Sequence, residues 1–141
     1  MSAVPLNIDV STPLRTLMAS AGADCSIYVN GGLPSSGLPA SFILIEPNGG
    51  IKTNASKFGN AFCVLSVSIY VALLSNGAVN PTKEDILLGK FQSLFQSVIK
   101  TTVGSNHFTY ELSANPMMYS GKSLISGYST KILNVNCFIN Y

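Results

Sequence analysis

The chain has no tryptophan, one histidine, three cysteines and few charges: eight Lys/Arg and six Asp/Glu among 141 residues, 10% in all. Each scarcity closes off a class of function. With a net charge of +2 and cations dispersed along the chain (Arg15, Lys52, Lys57, Lys83, Lys90, Lys100, Lys122, Lys131), there is no basic stripe to displace counterions from a phosphate backbone, so dedicated nucleic-acid binding is disfavoured. A lone imidazole, His107, cannot build a two-histidine metal site, and no serine or cysteine motif pairs with it. Cys25, Cys63 and Cys137 show no C-x-x-C spacing and cannot all pair with one another, which argues for reduced structural thiols. The most apolar run, Phe62 to Leu74, is interrupted by Ser66 and Ser68, is too short to cross a bilayer as a helix, and is rich in strand formers. The opening residues carry neither a basic region nor a long apolar run, so no secretion signal is read. Asn54-Ala55-Ser56 matches a glycosylation sequon, which without a secretory route is a chance match.

What the chain has instead is an ordinary apolar fraction, 47%, and 39 Ser, Thr and Asn residues. A surface that is polar without strong charge repulsion packs readily against copies of itself. At this length one domain spanning 1–141 is expected, with residues 1–10 as an N-terminal extension.

The periodicities give the elements. Ser11 or Thr12 can cap a helix with Pro13 in its first turn; Leu14, Leu17, Met18 and Ala21 make one stripe, and Gly22 provides the stop. Cys25–Asn30 reads as a short strand and Gly31–Pro39 as a loop. Phe42-Ile43-Leu44-Ile45 is a continuous apolar run, as in a strand covered on both faces. Residues 47–60 hold only Ile51 and Phe58 as sizeable apolar side chains and are expected to project as a loop or β-hairpin arm. In the next strand Ala61, Cys63, Leu65, Val67, Ile69, Val71 and Leu73 share one face. The second helix is expected from Glu84 to Ile99. Thr82 to Asp85 supply its start, Leu87, Phe91, Leu94, Phe95 and Val98 its stripe, Lys100 lies near its negative end and Gly104 closes it. Phe108, Tyr110 and Leu112 alternate with His107, Thr109 and Glu111 in a strand. A final strand runs from Leu124 to Tyr141, with Leu133, Val135, Cys137 and Ile139 on one face and a bulge or bend near Gly127. By layer logic this is an α+β fold: a mixed or antiparallel sheet of about four to five strands, two helices on one face, and a projecting arm.

Candidate chemistry is sparse. Gly121-Lys122-Ser123 lacks the earlier glycine of a phosphate-binding loop, since Pro116 stands at that position, and a strand follows it rather than a helix. Glu46 and Glu111 are the only acids placed on strands where two carboxylates could face each other; the simpler assignment is a strand end for Glu46 and a solvent face for Glu111. No catalytic residue, metal site or cofactor site is assigned. The candidate subunit interface comprises Ile51, Lys52, Lys57 and Phe58 on the arm, and Phe62, Val64 and Tyr70 on the second face of the long strand, with the Asn134/Asn136 row beside them.

The order of elements resembles that of the tail-terminator and tail-completion proteins of tailed bacteriophages. The residues carrying the likeness are a helix around Pro13-Leu14-Arg15, the strands Ile27-Tyr28-Val29 and Phe42-Ile43-Leu44-Ile45-Glu46, an extruded segment, the alternating strand Phe62–Leu73, the helix Glu84–Ile99 and two closing strands. The resemblance implies a non-enzymatic virion subunit, made in the host cytoplasm, that forms a ring, commonly a hexamer, at the tail end or at the head-tail neck. Its partners would be its own copies and other tail or connector proteins, with no membrane and no cofactor, and with passive contact to DNA in a lumen. In that family the segment matching Pro47–Asn60 makes intersubunit contacts; a charged lumen, common in such rings, finds few charges here to build it. A tail-tube, neck or capsid-decoration subunit is the neighbouring reading. From another class comes a small α+β adaptor or ligand-binding domain with a pocket between the second helix and the sheet.

Overall fold

The computed structural model describes residues 8–20, 25–53, 59–95, 98–113 and 125–141. Their elements run α1 (Ser11–Ser20), β1 (Ser26–Val29), β2 (Ser41–Pro47), β3 (Lys52–Thr53), β4 (Asn60–Ala72), α2 (Pro81–Leu94), β5 (Ile99–Val103), β6 (Asn106–Leu112) and β7 (Tyr128–Asn140). Six strands form one sheet in the order β1-β2-β4-β7-β6-β5, curled into a half-barrel, and the two-residue β3 pairs with the start of β4. The β1/β2 pair is parallel and the other pairs are antiparallel, so the sheet is mixed.

Strand alternation sets the layers. On β4, Ala61, Cys63, Leu65, Val67, Ile69 and Val71 are buried together with Leu133, Val135, Cys137 and Ile139 of β7, as their spacing in the sequence predicts. Leu14 and Met18 of α1 and Leu87, Leu88 and Phe91 of α2, with Phe95 just after it, join the same core, so both helices cover one face of the sheet. β2 is buried on both faces, with Phe42, Ile43 and Ile45 each 0% exposed.

Several expected boundaries move. The cap of α1 is neither Ser11 nor Thr12 but Asp9, whose Oδ1 accepts from the Ser11 and Thr12 amides, both at 3.1 Å. A carboxylate two and three residues ahead of those amides satisfies both, and Thr12 donates its own hydroxyl to the other oxygen. Within the expected N-terminal extension, Val10 is buried and its carbonyl accepts a hydrogen bond from the Tyr110 hydroxyl at 2.7 Å. Ala21, Gly22 and Leu124 lie outside the described residues, as does Gly121-Lys122-Ser123.

α2 is capped by Asn80, whose side chain accepts from the Lys83 amide at 3.3 Å, with Pro81 opening the helix. It ends at Leu94 rather than Ile99, and Val98 is exposed. The β-branched run Ile99-Lys100-Thr101-Thr102-Val103 forms the edge strand β5 instead. Gly104, at φ 61°, is the first residue of the two-residue β5–β6 hairpin turn, the position where such a turn requires a positive φ. β7 begins at Tyr128 and pairs with β4 without interruption from Tyr128 to Asn140, so the phase change near Gly127 is a turn ahead of the strand and not a bulge within it. The strands therefore exceed the expected four to five because β5 and β3 were hidden in a helix tail and in the arm.

Candidate functional site

The second face of the sheet carries the chain's unusual surface. It divides into a closed end and an open end. At the closed end Phe42 is packed among three tyrosines, with ring centroids 4.8 Å from Tyr70 (stacked), 5.7 Å from Tyr28 and 5.3 Å from Tyr128 (both edge-on). The connection between β1 and β2 is tied to this end: the Tyr128 hydroxyl donates to the Pro39 carbonyl at 2.6 Å, and the Ala72 amide to the Ala40 carbonyl at 2.8 Å. Burial and the neighbouring Glu46 charge push the Tyr70 phenol pKa up.

Eight residues back along β4 from Tyr70, the described residues leave the same face partly open. Phe62 stands opposite Phe138 of β7, with ring centroids 5.1 Å apart. The Tyr141 amide bonds directly to the Gly59 carbonyl in the adjoining pair, which fixes the ladder phase. Phe62/Phe138 is thus a non-hydrogen-bonded pair, the kind that brings opposed side chains closest. Phe138 is 43% exposed although β7 is an interior strand flanked by β4 and β6. The registers set Lys52, Phe62, Phe138, Thr109 and Lys100 in one row across β3, β4, β7, β6 and β5. Four inter-strand spacings put the two lysines about 19 Å apart on either side of the phenylalanines. Both lysines are exposed. The next row holds Val64, Asn136 and Glu111, and the one after it Ser66 and Asn134.

This placement sorts the residues singled out from the sequence. Phe62, Val64 and Lys52 belong to the open end; Tyr70 belongs to the closed end, stacked on Phe42. Ile51 is half-buried and packs against this chain's own core. Lys57 and Phe58 lie outside the described residues. The described root of the 47–60 segment lies on the sheet: the Asn48 amide bonds to the Val64 carbonyl at 2.7 Å, and Lys52-Thr53 pair with Phe62-Ala61.

Two residues central to the open end are absent from the sequence-derived set. Phe138 interrupts the polar alternation Asn134, Asn136, Asn140, and that interruption was its signal. Lys100 was assigned to a helix end, although the β-branched residues around it pointed to a strand.

The acids do not converge. Glu46 lies in the Ser66 row on β2 and Glu111 in the Asn136 row on β6, three inter-strand spacings or about 14 Å apart, beyond the reach of a shared proton or nucleophile. Glu84 is buried and accepts a 2.7 Å hydrogen bond from the Ser129 hydroxyl, which pins the start of α2 to β7. His107 is exposed and its Nδ1 lies 2.9 Å from the Thr102 hydroxyl across the β5–β6 hairpin. Cys63 and Cys137 face each other in the core; burial, with the neighbouring Cys63, pushes the Cys137 thiol up to about 12, and burial raises Cys63 as well. Thiols in that state are poor nucleophiles. Among the described residues no group of His, Cys, Asp and Glu is arranged to hold a metal ion, and no helix is long and apolar enough to cross a membrane. No protein-family model and no curated protein matches the chain.

Proposed function

We propose that the chain is a structural, non-enzymatic subunit that works by assembling with its own copies, as a ring at the tail end or head-tail neck of a tailed bacteriophage. The observation that carries self-assembly is Phe138, 43% exposed on an interior strand beside Phe62. Exposed aromatic area of this kind is costly in water, and its removal is the usual driving force for association. The placement of the ring at a phage tail or neck rests on the resemblance in element order and on the weakly charged surface, which lets several copies crowd together with little repulsion. The space between α2 and the sheet, where a ligand-binding domain would hold its pocket, is filled by Leu87, Phe91 and Phe95, each under 10% exposed.

The test is the mass of the purified chain in solution by light scattering, together with negative-stain micrographs. A closed particle of several copies is expected, and Phe138→Ser should reduce it to single chains while leaving the circular dichroism spectrum unchanged. A wild-type chain that stays monomeric at concentrations of tens of micromolar refutes the proposal.

A further inference from the structure

Five large apolar side chains are exposed among the described residues. Phe138 lies at the open end of the sheet, and Val98 and Val103 lie before and at the end of β5, where Val103 shares the helix-side face with Ile99 and Thr101. Leu74 and Ile86 lie at the start of α2: the Leu74 amide bonds to the Ala78 carbonyl in the turn entering the helix, and Ile86 is in its second turn. Asp85, next to Ile86, reaches Lys131 of β7 at 3.4 Å, and Lys131 is seven residues, or about 23 Å, from Phe138 along that strand. Phe138 and the surface around Ile86 are therefore distant, Ile86 on the helix layer and Phe138 on the opposite face of the sheet.

We propose that the Phe62/Phe138 end of one copy receives the Leu74/Ile86 end of the next, so that subunits join head to tail. This deepens the self-assembly reading above and rests on it. Two observations select this occupant. First, the phenylalanine pair is flanked by Lys52 and Lys100 on the same row, so superposing this row on its own copy about a two-fold axis through the pair sets cation against cation and disfavours that isologous contact. Secondly, a complementary surface must offer an exposed acid beside an exposed apolar side chain. Of the described acids, Asp9 caps α1, Glu84 is buried on Ser129, and Glu46 and Glu111 lie on the same sheet face as the lysines. Asp85 remains, its side chain 72% exposed, beside Ile86 at 50%. Its 3.4 Å contact with the largely covered Lys131 leaves most of the carboxylate open to a second partner. Of the other α2 charges, Lys83 is half-buried and Lys90 is engaged within the chain. A contact between two different patches is heterologous, and a heterologous contact that closes makes a ring.

Head-to-tail joining has a specific readout. Ile86→Ser and Phe138→Ser each remove one half of the joint, so each variant alone should sediment as a monomer. Mixed in equal amounts they retain one good joint, between the intact Phe138 of the first and the intact Ile86 of the second, and should form a particle of twice the chain mass that grows no further. Asp85→Lys and Lys100→Asp should each weaken assembly at least tenfold, and the double variant should recover most of the loss. A native circular dichroism spectrum and a cooperative melting transition confirm that each variant is folded, and the charge pair tests the joint without touching the phenylalanine. If the wild type assembles but Ile86→Ser and Asp85→Lys assemble equally well, or if the mixture stays monomeric, head-to-tail docking at this surface is overturned while self-assembly stands. If the wild type itself is monomeric, both proposals fall.

Discussion

Phe42 and Phe138 sit on the same face of the same sheet, and their truncation should have very different consequences. Phe42 is 0% exposed and makes ring contacts to Tyr28, Tyr70 and Tyr128. Phe42→Ala opens a cavity and removes those contacts, a loss of about 3–5 kcal/mol, to be set against a total stability of roughly 5–15 kcal/mol. Phe138 is 43% exposed, leaves no cavity when shortened, and loses part of its burial and one ring contact, to Phe62. About 1–1.5 kcal/mol is expected for Phe138→Ala in the isolated subunit. Urea titrations followed by circular dichroism, at concentrations low enough to hold the chain monomeric, measure both. Tyrosine emission gives a second probe undisturbed by tryptophan, which the chain lacks. If Phe138→Ala costs as much as Phe42→Ala, or Phe42→Ala costs under about 1.5 kcal/mol, the division of this face into closed and open ends is wrong.

Two further outcomes follow from single contacts. Burial alone would raise the Asp9 pKa, but hydrogen bonds from Thr12, Asn30 and Ser11 outweigh it and hold the carboxyl below its ordinary value. Its stabilisation is thus present above the unfolded-state pKa of about 4 and disappears as pH falls through the lower folded-state value. Asp9→Ala should cost about 1 kcal/mol at pH 7, and the difference from wild type in urea titrations should vanish by about pH 2; a difference independent of pH would remove Asp9 as the charged cap. Ser129→Ala leaves the buried Glu84 oxygen without its 2.7 Å donor, and a loss of about 1–3 kcal/mol is expected. A variant as stable as wild type in thermal unfolding would mean that this contact does not hold α2 to the sheet.

Much of the fold was legible because it depends on local repetition. The alternation from Ala61 to Val71 and from Leu133 to Ile139 fixed both long strands and their buried faces, and the apolar run at Phe42–Ile45 announced a strand covered on both sides. The errors fall where local signals compete. The apolar stripe of α2 runs smoothly into Val98 and Ile99, and only the sheet's need for an edge strand beside β6 separates them. The cap of α1 was sought in the hydroxyl residues next to Pro13, while the carboxylate two residues ahead of Ser11 reached the same amides.

The candidate site was less legible for a different physical reason. Alternation along one strand states which residues share a face; it does not state which rows of that face are covered. Phe62, Val64 and Tyr70 are equivalent by spacing, yet Tyr70 stacks on the fully buried Phe42, while Phe62 meets the exposed Phe138. The sequence by itself determined the layer to which each side chain belongs, because strand and helix periods are local properties of the backbone. Only the tertiary structure decided which end of the sheet is left bare, because that depends on strand register and on where a loop distant in sequence comes to rest.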